Sequence, residues 1–105
     1  MLLYDFYGNL LTLRQKRAFE LHFALDLSIT EIALEFGMSR PGAYDLVKRA
    51  EATLVDTETR VGAVERYLKE RRFLEGVLAR LGRGEVDEAG KAIRTWLETG
   101  GESDV

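Results

Sequence analysis

The sequence contains no cysteine, a single proline and a single histidine. Without thiols there is neither a disulfide framework nor a thiolate metal site, and one histidine leaves too few nitrogen ligands for a zinc centre. No metal or other cofactor is therefore expected. Long hydrophobic runs are missing too: nothing approaches the roughly 20 apolar residues that span a bilayer. The opening "MLLYDFYGNLL" lacks the basic start and small-residue cleavage site of a signal peptide. These absences lead to the expectation of a soluble, cytoplasmic chain with no membrane span. A large excess of one charge is also lacking. The net charge of −3 argues against coating nucleic acid through bulk attraction, yet permits a locally basic face.

What is present is a period near 3.6. No segment alternates apolar and polar residues long enough for a strand, so the expected fold class is all-α. At 105 residues the chain is read as a single helical domain over 1–105. A first helix over about 2–10 places Leu3, Phe6, Tyr7 and Leu10 on one face. Thr12 followed by Gln15 is a capping box that opens a second helix running to about Leu25. Ser28 and Glu31 repeat the device for a third, which Gly37 ends in a left-handed turn. Pro41 marks the start of a fourth helix, with Arg40 or Ser39 at its cap, because a first-turn N–H has no intrahelical acceptor to lose. Gly42 costs about 1 kcal/mol in helix propensity, to be offset by packing of Ala43, Leu46, Val47 and Ala50.

Two helices joined by this tight turn form a helix-turn-helix, with its core expected over 12–55. Further helices over 56–99 are expected to serve packing or dimerisation. An apolar seam runs through Val47, Ala50, Leu54, Thr57, Val61, Val64 and Leu68 at alternating spacings of three and four. Gly62 and "DTET" (56–59) are expected to break or bend the rod, with a fifth helix from about Thr59 to Leu81. Gly82, Arg83 and Gly84 form a turn. A sixth helix, about Glu85 to Glu98, is expected to bury Val86, Ala89, Ile93 and Leu97 beside Trp96, before "TGGESDV" frays. The seam Leu54, Val61, Val64 and Leu68, in a chain too short to cover it, predicts a homodimer.

The stretches "YDFYGNLLTLRQKRAFELHF", "DLSITEIALEFGMSRPGAYDLVKRAE" and "ERYLKERR" resemble the YlxM family of bacterial proteins over nearly the whole chain, with Asp5 to Tyr7, Ser39 and Arg40, and Tyr44 and Asp45 carrying most of the match. That resemblance implies a fold like region 4 of a sigma factor, a helix-turn-helix followed by long helices. It also implies a role in the signal recognition particle pathway, beside whose genes family members are commonly encoded. The sequence departs from the family pattern at Pro41 and Gly42, which weakens base reading there.

In such a motif the second helix meets the ligand. Ser39 would cap it while its N-terminus meets a phosphate, and Arg40, Lys48 and Arg49 would contact phosphates. Tyr44 offers one hydroxyl, which discriminates poorly between bases, and Asp45 repels phosphate. Arg14, Lys16 and Arg17 either add backbone contacts or form a solvated face. The cluster Arg66, Lys69, Arg71 and Arg72 is interleaved with Glu65 and Glu70, as in intrahelical ion pairing. His22 aligns with Ala18, Leu21 and Leu25 as a core or boundary residue. "GEVDEAGK" (84–91) imitates a phosphate-binding loop, but with the wrong spacing, no hydroxyl residue after the lysine and no preceding strand. No grouping suited to catalysis emerges, and an enzyme is not expected. The expected function is a helix-turn-helix regulator binding DNA or structured RNA. The alternative is a non-enzymatic protein-interaction module whose helix-turn-helix docks on a component of the signal recognition particle.

Overall fold

Three hydroxyl caps fix where the helices of the first half begin. In a computed structural model, which describes residues 1–101, the Thr12 hydroxyl accepts from the Gln15 N–H at 3.1 Å and the Gln15 side chain accepts from the Thr12 N–H at 3.0 Å. Ser28 and Glu31 form the same reciprocal pair. The Ser39 hydroxyl accepts from the Gly42 N–H at 3.1 Å. Each satisfies donors that a helix start leaves unpaired. The elements are α1 (Leu2–Tyr7), extended by a 3-10 turn over Gly8–Leu10; α2 (Leu13–Phe19), continued by a π-helical turn over Glu20–Ala24; α3 (Ile29–Phe36); α4 (Arg40–Val61); α5 (Ala63–Gly82); and α6 (Val86–Thr99). No strand occurs among the described residues, so the fold is all-α. Of "TGGESDV", Thr99 ends α6 and Gly100 is its left-handed cap, while 102–105 lie outside the described residues.

The chain divides into two compact units, Met1–Val64 and Glu65 onward. In the first, Ala18 and Leu21 from α2 and the following turn, Ile32 and Ala33 from α3, and Ala43 and Val47 from α4 form a buried cluster, with Leu27, Ile29, Phe36, Met38 and Leu46 packed at its margin. These positions follow the 3.6 period of each helix, which places one stripe per helix against the other two. Gly37 takes φ 62°, and this left-handed turn lets α4 follow α3 within three residues. After α2, Asp26 takes φ 59°. There the ring Nδ1 of His22 lies 2.8 Å from the Leu27 carbonyl. That contact makes Nδ1 the protonated nitrogen and His22 a boundary residue tying the loop to its helix.

The "DTET" run does not break the rod. It continues α4 to Val61, with Thr57 and Thr59 donating their hydroxyls to the Thr53 and Val55 carbonyls at 2.7 and 3.0 Å, so their polar groups stay satisfied inside the helix. Gly62, at φ 68°, is where the helix ends, and α5 starts at Ala63 rather than Thr59. The expected dimer seam is interrupted there. Leu54 is fully buried and Val64 nearly so within the chain, Leu68 is half-buried, and Val61 is left half-exposed.

The face of α1 also differs from expectation. Phe6 and Leu10 are exposed, while Tyr7 is buried and Tyr4 stacks on Phe19 with ring centroids 5.0 Å apart. Two tyrosine hydroxyls account for this choice. That of Tyr4 donates to the Glu20 carboxylate, and burial followed by this bond pushes Tyr4 up to about 12. The Tyr7 hydroxyl donates to Glu58 Oε1 at 2.6 Å and accepts from the Ala63 N–H at 3.1 Å, while the same Glu58 oxygen accepts from the Val64 N–H at 3.1 Å. Burial first, then Glu58, raises the Tyr7 pKa. The first turn of α5 is thus capped by a residue of α1 and a residue of α4, in place of the usual serine or threonine.

In the second unit, α5 and α6 are joined by a turn in which Gly84 takes φ 79° and the Glu85 N–H returns to the Arg80 carbonyl at 2.9 Å. Phe73 stacks on Trp96, centroids 4.2 Å apart, and Val77 and Ala89 are buried. Val86, Ile93 and Leu97, expected inside, are exposed instead, because α6 turns its Ala89 and Trp96 side toward α5.

Candidate nucleic-acid interface

Helix α4 buries Ala43, Val47, Ala50 and Leu54, and this leaves Tyr44, Asp45, Lys48 and Arg49 on its outer side. Of the five residues expected at the interface, Arg40, Tyr44, Lys48 and Arg49 are all exposed; the first three follow one another at four-residue spacings along one side of α4, whereas Arg49, nine residues after Arg40, emerges about half a turn round the axis. Ser39 lies at the end of that side as the cap. Pro41 is exposed and borders a shallow hollow with Ile29, Arg40 and Tyr44. Gly42 has a different environment. A Cβ there would lie 3.0 Å from Ser39 Oγ and 3.1 Å from Met38 Cε, so the glycine accommodates the cap and the turn rather than omitting a side chain that would face a ligand.

The first turn of α4 retains little hydrogen-bonding capacity of its own. Pro41 has no N–H, Gly42 donates to the Ser39 hydroxyl, and Ala43 donates to the Ser39 carbonyl at 2.9 Å. Of these first N–H groups only that of Arg40 remains for an anion, together with the partial positive charge at the helix end.

The cations around this surface have local partners. Arg49 Nε lies 2.8 Å from Asp45 Oδ2, one turn back. Lys48 Nζ lies 3.4 Å from Glu51 Oε1 and 5.6 Å from the centroid of the Tyr44 ring. Arg40 Nε donates to the Thr30 hydroxyl at 3.0 Å, which folds it toward α3. On α2, the Arg14 guanidinium sits 5.2 Å over the Phe36 ring, Lys16 donates to Asn9 Oδ1 at 3.0 Å, and Arg17 is 3.9 Å from Glu35. All are solvent-exposed pairs, each worth a few tenths of a kcal/mol, so an incoming phosphate can displace the carboxylate partners at small cost. The Asp45–Arg49 and Lys48–Glu51 pairings were legible as spacings of four and three. The Tyr7–Glu58 link and the Arg40–Thr30 bond span distant segments, and no local pattern announces them.

Among the described residues no group of three or more His, Cys, Asp or Glu side chains could hold a metal ion, and no helix is long and apolar enough to cross a membrane.

A buried trihelical unit with a left-handed turn and a hydroxyl-capped second helix is the helix-turn-helix arrangement, and the family comparison agrees with it. The model of the UPF0122 family, helix-turn-helix proteins like YlxM and p13, matches residues 1–90. The chain belongs to the UPF0122 family. It is 39% identical over 92 residues to a UPF0122 protein of Desulforamulus reducens, an alignment that covers 88% of this chain and 79% of the relative. A UPF0122 protein of Symbiobacterium thermophilum is 37% identical over 92 residues, 88% of this chain and 86% of its own. One from Streptococcus gordonii is 41% identical over 75 residues, 71% and 68% of the two chains. The family match takes in all of the first unit and α5, and ends within α6.

Proposed function

We propose that this UPF0122 protein is a nucleic-acid-binding regulatory protein that lays the start of α4 against a phosphate backbone and holds it by position more than by base reading. The observation that carries this reading is the exposed, Ser39-capped start of α4, with Arg40 beside it and Lys48 and Arg49 a little over two turns further along. A helix N-terminus with nearby cations favours phosphate whatever base is attached. Tyr44 and Asp45 are the exposed groups in the first turns that could meet a base edge; a single hydroxyl discriminates weakly, and a carboxylate that can accept from cytosine repels the phosphates beside it. DNA and structured RNA both supply the required backbone. The YlxM resemblance adds the signal recognition particle pathway, acting in the cytoplasm, as the proposed setting.

Fluorescence anisotropy with a duplex DNA and with a signal recognition particle RNA hairpin, at two salt concentrations, tests this. Substituting Arg40, Lys48 or Arg49 by alanine should weaken binding about equally across sequences and lower the salt slope by about 0.9 for each phosphate left unneutralised on duplex DNA. Asp45→Asn should strengthen binding, because it releases Arg49 from its partner. Absence of binding to either ligand at about 50 mM salt, where attraction to phosphate is strongest, would sink the proposal.

One observation favours a second reading. The pairing of Lys48 with Glu51 and Arg49 with Asp45 makes the surface mixed in sign, which suits docking on a protein component of the same particle. Under that reading Asp45→Asn weakens the interaction instead, so the one substitution separates the two.

A further inference from the structure

We propose that the outer face of the α5–α6 hairpin is a self-association surface, occupied by the same face of a second copy of the chain. This does not depend on what the helix-turn-helix binds. The homodimer expected from the sequence is thereby placed on different residues, because Leu54 and Val64 are already used inside the chain.

The face is built from two apolar stripes. On α5, Leu74, Leu78 and Leu81 are 60%, 70% and 46% exposed; on α6, Val86, Ile93 and Leu97 are 63%, 41% and 74% exposed. The packing between the helices is marked by Phe73 against Trp96 and by Arg80, whose guanidinium donates to the Glu88 carbonyl. Residue numbers fall along one helix as they rise along the other, so the two run antiparallel. At 100° per residue the α5 stripe lies roughly a quarter to a third of a turn round its axis from that packed side, and the α6 stripe roughly a sixth to a quarter. Seen from one end, the rotation is clockwise on α5 and counter-clockwise on α6, which carries both stripes to the same side of the hairpin. With about 200 Å² per large apolar residue, these exposures leave on the order of 600–700 Å² of apolar surface, above the roughly 300–600 Å² that is the largest patch on an ordinary monomer. It approaches the about 800 Å² per partner of a standard interface.

Three observations favour a second copy as the occupant. The area matches one half of a two-fold interface. The groove on the α5 part of this face, between Tyr67 and Leu78, is rimmed by Glu70, Arg71 and Glu75, with Arg71 and Glu75 3.6 Å apart. A rim carrying both signs is complementary to itself under a two-fold, whereas a nucleic acid or a single-signed peptide would meet repulsion. Finally, among the described residues from Glu65 onward the only buried apolar side chains are Val77 and Ala89. A helical pair that small needs a disulfide, a metal or association for independent stability. The chain has no cysteine, and the described residues contain no metal-holding cluster.

The test is light scattering on the full chain across about 5 to 200 µM, with circular dichroism on the same samples. Wild type should show twice the chain mass of 11.9 kDa. Leu74→Glu with Leu78→Glu, and separately Leu97→Glu, should give the single-chain mass with helicity retained, since these side chains are exposed within one chain. Leu34→Glu, exposed on the first unit, should leave the dimer intact. A wild-type monomer throughout the range overturns the proposal, as does a dimer that survives both α5 and α6 variants. Loss of helicity together with mass in the double variant is resolved by Leu97→Glu, which must then dissociate the dimer alone. Nucleic-acid binding, measured separately, leaves this outcome unchanged in either direction.

Discussion

The two units of this chain are both built from amphipathic helices, yet they use their apolar residues in opposite ways. In the first unit α2, α3 and α4 cross over one another, and the stripes of all three meet at Ala18, Ile32, Ala43 and Val47. In the second, two helices lie side by side, and a pair can cover only one stripe. The strip between them holds Phe73, Val77, Ala89 and Trp96, while Leu74, Leu78, Leu81, Val86, Ile93 and Leu97 remain outside. Three helices can enclose a core where two cannot. Exposure in α5 and α6 thus follows from helix number: the apolar composition enclosed in the first unit is left at the surface of the second.

The largest expected contrast is between Leu54 and Leu78. Leu54→Ala empties a fully buried site and should cost about 2–5 kcal/mol. Leu78→Ala should change the stability of the isolated chain by less than about 0.5 kcal/mol, while weakening association. Urea unfolding at low protein concentration reads both, and equal costs would erase the distinction between the units. Next comes Tyr7→Phe, which removes the hydroxyl that serves Glu58 and the Ala63 N–H. Leaving the Ala63 N–H without its acceptor, and Glu58 with one donor fewer, should cost about 1–3 kcal/mol, and hydrogen exchange should show the Ala63 and Val64 amides losing protection before those of α3. Ser39→Ala should cost about 1 kcal/mol, the usual value of an N-cap, seen as a lower thermal midpoint and faster exchange at Gly42.

The smallest effect at neutral pH becomes visible in alkali. Tyr4, near 12, and Tyr7, raised in the same direction, have folded-state values above the unfolded value of about 10. The stability they contribute is complete below about pH 10 and is lost as pH rises through the folded values, close to 12 for Tyr4. The urea midpoint should therefore hold to about pH 10 and fall above it, and Tyr4→Phe should flatten part of that fall.

Much of the first unit was legible because its instructions are local. Thr12 with Gln15, Ser28 with Glu31, and Gly37 each act within a few residues, and they fixed the start of α2, the start of α3 and the turn before α4. The misreadings have a common cause. "DTET" looked like a breaker because threonine has modest helix propensity, whereas inside α4 each threonine hydroxyl finds a carbonyl one turn back. The spacing of Leu3, Phe6, Tyr7 and Leu10 suggested one inward face for α1, but the bond from Tyr4 to Glu20, sixteen residues away, accompanies the packing of the Tyr4 ring instead of Phe6. At the interface, the spacing of Lys48 and Arg49 was readable, while the turning of Arg40 to Thr30 depends on where α3 lies. For α5 and α6 the amphipathic period was plain, and what it could not reveal was how many neighbours each helix would have.

The Tyr7 hydroxyl also sets an order of assembly. Its partners lie 51 and 56 residues further along, so during synthesis the chain must carry an unmatched α1 tyrosine until the Gly62 bend has emerged. The trihelical core, made of neighbours in sequence, can close before then, since contacts of short sequence separation form faster. The junction between α4 and α5 is consequently the last part of the first unit to lock. Until it does, the first turn of α5 lacks the two groups that cap it and is the part of that helix most open to fraying.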